Sequence, residues 1–296
     1  MQPSTITTVF MPLALGIVML GLGLSLTLDD FKRVVNYPRA VAVGLFCQMI
    51  LLPVVAVGVA HLFNLQGALA VGLMLLAAAP GGATANLFSH LAKGDVALNI
   101  TLTAVNSLLA LFTLPLIVNW SLVHFMDKGQ VIPMVLTKII EVFVVVLGPV
   151  AIGMAVRRSR PALADRLDKP VRILSAVILL AFIAGSVVRE RAHLADYFQQ
   201  VGLAALTFNL VSMAAGFIIP RLFGVLTKQA VAIGMEIGIH NGTLAIYIAN
   251  QILKQDDMAI SPAIYSLIMF FTAAAFSACM ARRAGSDEAA APASAP

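Results

Sequence analysis

The sequence predicts an all-α, polytopic membrane protein of about nine transmembrane helices in inverted repeats, with two discontinuous helices that cross. Three observations lead there. Hydrophobic residues make up 60% of the 296 residues and charged residues 11%, with a mean hydropathy of +0.96, whereas soluble domains are about 45–50% apolar and about 25% charged. Apolar runs of about 20 residues, the length that crosses a bilayer, recur from one end of the chain to the other. The Lys and Arg residues between those runs gather in alternate loops.

The expected spans are 8–28, 40–60, 67–92, 96–118, 132–156, 171–188, 200–219, 229–252 and 259–281. The first lacks the basic flank and small-residue cleavage site of a signal peptide and is expected to remain in place. One set of loops holds fourteen Lys and Arg residues, the other four, and Lys138 falls inside a span. Cytoplasmic loops are enriched in these residues, which puts the N-terminus outside and the C-terminus in the cytoplasm. Residues 1–283 are read as the membrane domain. The tail 284–296, small, polar and Ala/Pro-rich, is read as disordered. The formal charge of +5 is accounted for by helix-flanking basic residues, so no nucleic-acid partner is inferred. Cys47 and Cys279 lie in apolar runs and read as core residues, not as a disulfide or thiolate site.

Two spans are interrupted. The third carries Pro80-Gly81-Gly82-Ala83-Thr84-Ala85-Asn86, where proline removes a backbone donor and paired glycines weaken the helix. The eighth carries Glu236-Ile237-Gly238-Ile239-His240-Asn241-Gly242-Thr243. Helices broken at membrane depth persist where the freed backbone lines a cavity or is buried in protein. Pairing spans one to four with six to nine puts the two breaks at equivalent, oppositely oriented positions and leaves span five unpaired. Spans two and seven then correspond as well, each with a midspan amide, Gln48 and Asn209.

Glu236 is the leading candidate. A charge at the bilayer centre costs about 2.5–3.5 kcal/mol by insertion scales, and a captured cation offsets that cost. Sodium takes oxygen ligands by the hard-cation logic of calcium and magnesium; the alternative is a protonated acid bonded to its neighbours. Asn86 and Asn241 read either as caps of half-helices or as ligand contacts. Glu141 reads as the ion-pair partner of Lys138, three residues earlier. His61, His90, His124 and His193 fall near span ends or in loops and read as interfacial or solvated. No Gly-x-Ser-x-Gly or HExxH motif accompanies them, so an enzyme is not expected.

From about Leu13 to Met280 the chain resembles the bile acid:sodium symporter family, in the nine-helix bacterial form. The markers are PGG-x-x-x-N at 80–86 and E-x-G-x-x-N at 236–241. The resemblance implies a core of about 40–118 and 200–281 and a moving panel of about 8–28 and 132–188, in a bacterial inner membrane. It also implies two sodium sites: Asn86, Asn99, Thr103 and Glu236 at the first; Gln48, Glu236, His240 and the carbonyls of Ile237 and Ile239 at the second. Ala85 stands where relatives have serine, Asn99 where serine is common, and His240 where glutamine is typical. The last replacement puts an imidazole in place of an amide oxygen and opens a proton-linked alternative. Half-helix N-termini favour a carboxylate or sulfonate, with Ala83, Thr84, Asn241 and Thr243 as the expected substrate contacts and generic walls such as Met19, Leu24 and Phe182. The function expected is therefore symport of a small organic anion with Na+ across a lipid membrane. The alternative is a proton-coupled or uncoupled carrier of the same fold.

Overall fold

A computed structural model describes residues 5–126, 136–189 and 194–290. The chain runs through α1 (Thr5–Ser25), α2 (Leu28–Lys32), α3 (Pro38–Phe46), α4 (Leu52–Leu62), α5 (Gly67–Ala78), α6 (Ala83–Leu91) and α7 (Val96–Phe125). It continues through α8 (Leu136–Ser159), α9 (Pro161–Arg189), α10 (Leu194–Leu222), α11 (Thr227–Gly238), α12 (Gly242–Tyr247) and α13 (Ile260–Ala290). Each apolar run coincides with one of these helices or with a bent or broken group of them. Among the described residues five helices are long and apolar enough to cross a membrane, or six when the bent pair α1–α2 is taken as one span. The protein is a multi-pass membrane protein. Consistent with lipid contact, large side chains such as Leu116 and Phe112 are 70% and 65% exposed on the outside of the bundle.

Local chemistry explains the helix boundaries. Between α1 and α2 the axis turns by 72°. There Thr27 and Asp30 form a capping box, with the Thr27 N–H and hydroxyl both donating to Asp30 Oδ2 at 2.7 Å. Pro38 starts α3 at a position whose N–H needs no partner. One wider π turn, Cys47–Leu51, joins α3 to α4, and Pro53 follows it. A widened turn of this kind lets the ladder continue past a residue without an N–H.

Helices α4 and α10 end alike. Asn64 and Gly224 adopt positive φ (52° and 70°), and Leu65 N–H and Val225 N–H reach back to the carbonyls of Ala60 and Pro220 at 2.8 and 2.9 Å. Helix α6 and the π turn after α12, Ile248–Ile252, also end alike, at Lys93 (φ 56°) and Lys254 (φ 54°).

Helices α1, α8 and α9 pack against one another. They approach closely because glycine meets backbone: a Cβ on Gly23 would collide with the Val150 carbonyl, and one on Gly153 with the Leu20 carbonyl at 2.6 Å. The helices α3–α7 and α10–α13 form the rest, with α5 and α11 buried nearly throughout. The expectation of a disordered tail from residue 284 is corrected over its first part: α13 continues to Ala290. The added stretch contains Glu288, Ala289 and Ala290, which are strong helix formers. Residues 291–296 lie outside the described residues.

Candidate ion and substrate site

Both interrupted spans are broken at the expected places. Helix α5 stops at Ala78 and α6 begins at Ala83, with extended backbone at Ala79 and Gly82 between them. Helix α11 stops at Gly238, Ile239 is extended, and α12 begins at Gly242. The two extended stretches run antiparallel with Gly81 opposite His240. Gly82 N–H donates to the Ile239 carbonyl at 2.8 Å and Asn241 N–H to the Pro80 carbonyl at 2.9 Å. The crossing thus satisfies part of the backbone that each break frees.

Two amides from neighbouring helices hold the carbonyls at the ends of the leading half-helices. Gln48 Nε2 donates to Ala77 O at 3.3 Å and Ala79 O at 3.0 Å. Asn209 Nδ2 donates to Gly238 O at 2.9 Å. The sequence separation is 29 residues for Gln48–Ala77 and again for Asn209–Gly238. Tyr265 adds a second bond to Gly238 O, its hydroxyl donating at 2.9 Å. Of the two asparagines read as caps, Asn241 does cap α12, its Oδ1 accepting from Leu244 N–H at 3.0 Å. Asn86 does not cap α6, whose N-cap position is Gly82; its buried Oδ1 has no partner.

Glu236 is fully buried and faces Gly81 so closely that a Cβ there would overlap the carboxylate. Thr103 Oγ1 donates to Glu236 Oε2 at 2.6 Å and Asn106 Nδ2 to Oε1 at 3.1 Å. Asn99, Thr103 and Asn106 share one face of α7, and all are buried. Asn99 spends its Nδ2 on Ala232 O at 2.7 Å. The Oδ1 atoms of Asn99 and Asn106 remain buried without partners. Orphaned buried acceptors are rare, and here they cluster by sequence face and bonding around one carboxylate. Among the described residues no group of three or more His, Cys, Asp or Glu could hold a metal. The donors on offer are carboxylate, amide, hydroxyl and carbonyl oxygens, a set suited to a hard monovalent or alkaline-earth cation.

The residues expected at the second ion site are only partly joined. His240 Nδ1 lies 3.3 Å from Ala79 O, the carbonyl that Gln48 also binds. Gln48 Oε1 and His240 Nε2 have no partners. The ring stacks on Phe208 with centroids 5.9 Å apart and tilts against Tyr265 at 5.4 Å. Neither Gln48 nor His240 bonds to Glu236, so hydrogen bonding divides the set into two clusters. The Ile239 carbonyl is already engaged by Gly82, and the Ile237 side chain packs where a Cβ on Gly216 would fall. Sequence reading missed Asn106 and Tyr265. Asn106 had a signal, lying seven residues after Asn99 on the same helical face; Tyr265 had none, being one aromatic in an apolar helix.

A cavity of about 210 Å³ lies between α1 and α9 on one side, at Gly21, Asp168 and Ser175, and α6 and α7 on the other, at Asn86, His90 and Ile100. Among the expected substrate residues Asn241 and Thr243 are buried and Thr84 is half-buried, while the side chain of Ala83 lies outside the described residues. Of the named wall residues, Met19 and Leu24 are buried and the Phe182 side chain is outside the description. The Lys138 side chain, proposed partner of Glu141, and His193 are also outside it.

The pattern of the Sodium Bile acid symporter family matches residues 12–197. The chain belongs to that family. A sodium-dependent transporter of Bacillus subtilis, YocS, is 27% identical over 249 residues, covering 83% of this chain and 76% of the relative. The probable chloroplastic sodium/metabolite cotransporter BASS1 of Arabidopsis thaliana is 29% identical over 85% of this chain, which spans only 62% of that longer protein. The ileal sodium/bile acid cotransporter of Oryctolagus cuniculus is 24% identical over 92% of this chain and 79% of its own. The family and these symporter relatives are transporters, not enzymes. The second break, with Glu236, lies beyond the family match but within a chain that each of these relatives covers by more than four-fifths.

Proposed function

We propose that the chain is a secondary active transporter that carries a small organic anion, a carboxylate or sulfonate, together with Na+ by alternating access. The observation that carries this is the fully buried Glu236 carboxylate, placed beside a helix break among unpartnered amide oxygens. Sodium captured by Glu236, Asn99, Thr103 and Asn106 balances the buried charge, with Asn86 completing the first site. Gln48, His240 and the carbonyls of Ile237 and Ile239 are the second set. The sodium-dependent relatives from bacteria, chloroplast and ileum support the coupling ion.

The anion is read as entering the cavity between α1, α9 and α6, α7, beside the half-helix ends, with Ala83, Thr84, Asn241 and Thr243 as contacts. Helices α1, α8 and α9 form the panel and the remaining helices the core. The cavity at their boundary contains Asp168 and His90, near loops rich in Lys and Arg, which supports an inward-facing state of a bacterial inner-membrane carrier. The matched 29-residue reach of Gln48 and Asn209 and the matched helix ends support inverted repeats and nine crossings.

The test is uptake of labelled carboxylates and sulfonates into proteoliposomes with Na+ or choline outside. Uptake that requires Na+ is expected; uptake identical in choline overturns the coupling. One observation favours a second reading at the second site: His240 offers an unpartnered imidazole nitrogen in place of an oxygen. A proton could serve there, and a pH gradient that drives uptake without Na+ would select that mode.

A further inference from the structure

His61 and His124 come from different helices and meet at the surface. His61 sits in the last turn of α4 and His124 in the last turn of α7, 63 residues apart in sequence. Their Nε2 atoms are 3.2 Å apart, with ring planes at 87°. Both rings pack against aromatic neighbours. Trp120 stacks on His124 at 4.6 Å and 13°, and Phe125 packs against His124 at 4.7 Å and against His61 at 5.6 Å. Both histidines are exposed, in the last turns of their helices. The cluster plays no part in the transport reading.

Two neutral imidazoles that present the same nitrogen to each other form either a hydrogen bond through one shared proton or a chelating pair. The separation decides what they accept. Zinc–imidazole bonds of about 2.0–2.1 Å in tetrahedral geometry set two ligand nitrogens about 3.3 Å apart, close to the spacing found. A small tilt of each ring turns the nitrogens from each other toward an ion above the pair. Imidazole suits Zn²⁺, Cu²⁺ and Ni²⁺, with Cu²⁺ bound most strongly. Among the described residues no third His, Cys, Asp or Glu completes the group, so water fills the other positions, and the ion is exchangeable, not part of the fold.

We propose that His61 and His124 form a two-histidine site for a divalent first-row transition ion, which ties the end of α4 to the end of α7. The test uses the full chain without a histidine tag, purified in detergent and titrated calorimetrically with Zn²⁺ and with Cu²⁺. One ion per chain is expected, unaffected by excess Mg²⁺. His61→Ala and His124→Ala are each expected to weaken binding at least about 10-fold, since even loss of an outer-shell partner costs that much at a metal site. Electron paramagnetic resonance of the Cu²⁺-loaded wild-type chain keeps the test open if a variant fails to fold, and two-nitrogen coupling is expected. Absence of binding, binding unchanged in both variants, or a spectrum without two coupled nitrogens would show a metal-free hydrogen bond only and overturn the proposal.

Discussion

The Glu236 carboxylate is held by a hydroxyl and an amide, groups that orient it but carry no charge. On the proposed reading, a visiting cation balances its charge. Glu236→Gln keeps the shape and removes the charge; the expected outcome is a folded protein whose melting temperature no longer rises with NaCl relative to choline chloride, since ligand stabilisation needs a ligand site. Thr103→Val deletes the 2.6 Å bond. Hydrogen bonds to charged groups contribute about 1.5–3 kcal/mol, so the Na+ concentration for half-maximal stabilisation should rise about 10-fold or more. At Gly81 the constraint is steric, because any Cβ there overlaps the carboxylate. Gly81→Ala is expected to lose sodium-dependent uptake even where the protein still inserts, and normal uptake by that variant would contradict the crossing described.

At the scale of elements, the breaks are stable because other helices take up the backbone they release. Gln48 on the π turn holds the carbonyls of Ala77 and Ala79 on either side of the last residue of α5, and Asn209 on α10 holds the final carbonyl of α11. Removing either amide leaves a buried carbonyl short of a partner, at about 1–3 kcal/mol. Gln48→Ala and Asn209→Ala should each lower the unfolding temperature by several degrees in a thermal-shift assay. Asn209→Ala should lose less, because Tyr265 still donates to Gly238 O at 2.9 Å, whereas Gln48→Ala takes a donor from both Ala77 O and Ala79 O. Equal losses would mean that Tyr265 does not share the load. The positions of the breaks were legible from Pro80, the glycines and the polar run after Glu236. The partners were not, because a midspan amide is compatible both with helix contact and with an ion, and only the fold shows which carbonyl it reaches.

For the whole molecule the orientation can be checked directly. Lys228 lies in the first turn of α11, at the start of the broken pair α11–α12, and Lys254 follows the pair, and both are exposed. In a chain with Cys47 and Cys279 replaced, Lys228→Cys should react with a membrane-impermeant maleimide only from the cytoplasmic side and Lys254→Cys only from outside. Reaction of both from one side would make α11–α12 a re-entrant loop and undo the inverted-repeat reading.

Composition and the spacing of apolar runs determined the membrane class, because no soluble core absorbs that much apolar surface and the bilayer fixes span length. Helix-breaking chemistry in the sequence determined where the backbone opens, and the cost of a charge in lipid singled out Glu236. Tertiary structure alone decided that Asn106 joins Thr103 at that carboxylate across 130 and 133 residues of chain. It also decided that Tyr265 shares a carbonyl with Asn209, and that His61 and His124, read from the sequence only as interfacial, meet nitrogen to nitrogen. Periodicity records which face of its own helix a residue occupies, whereas these contacts depend on how distant helices are placed against one another, which no local pattern encodes.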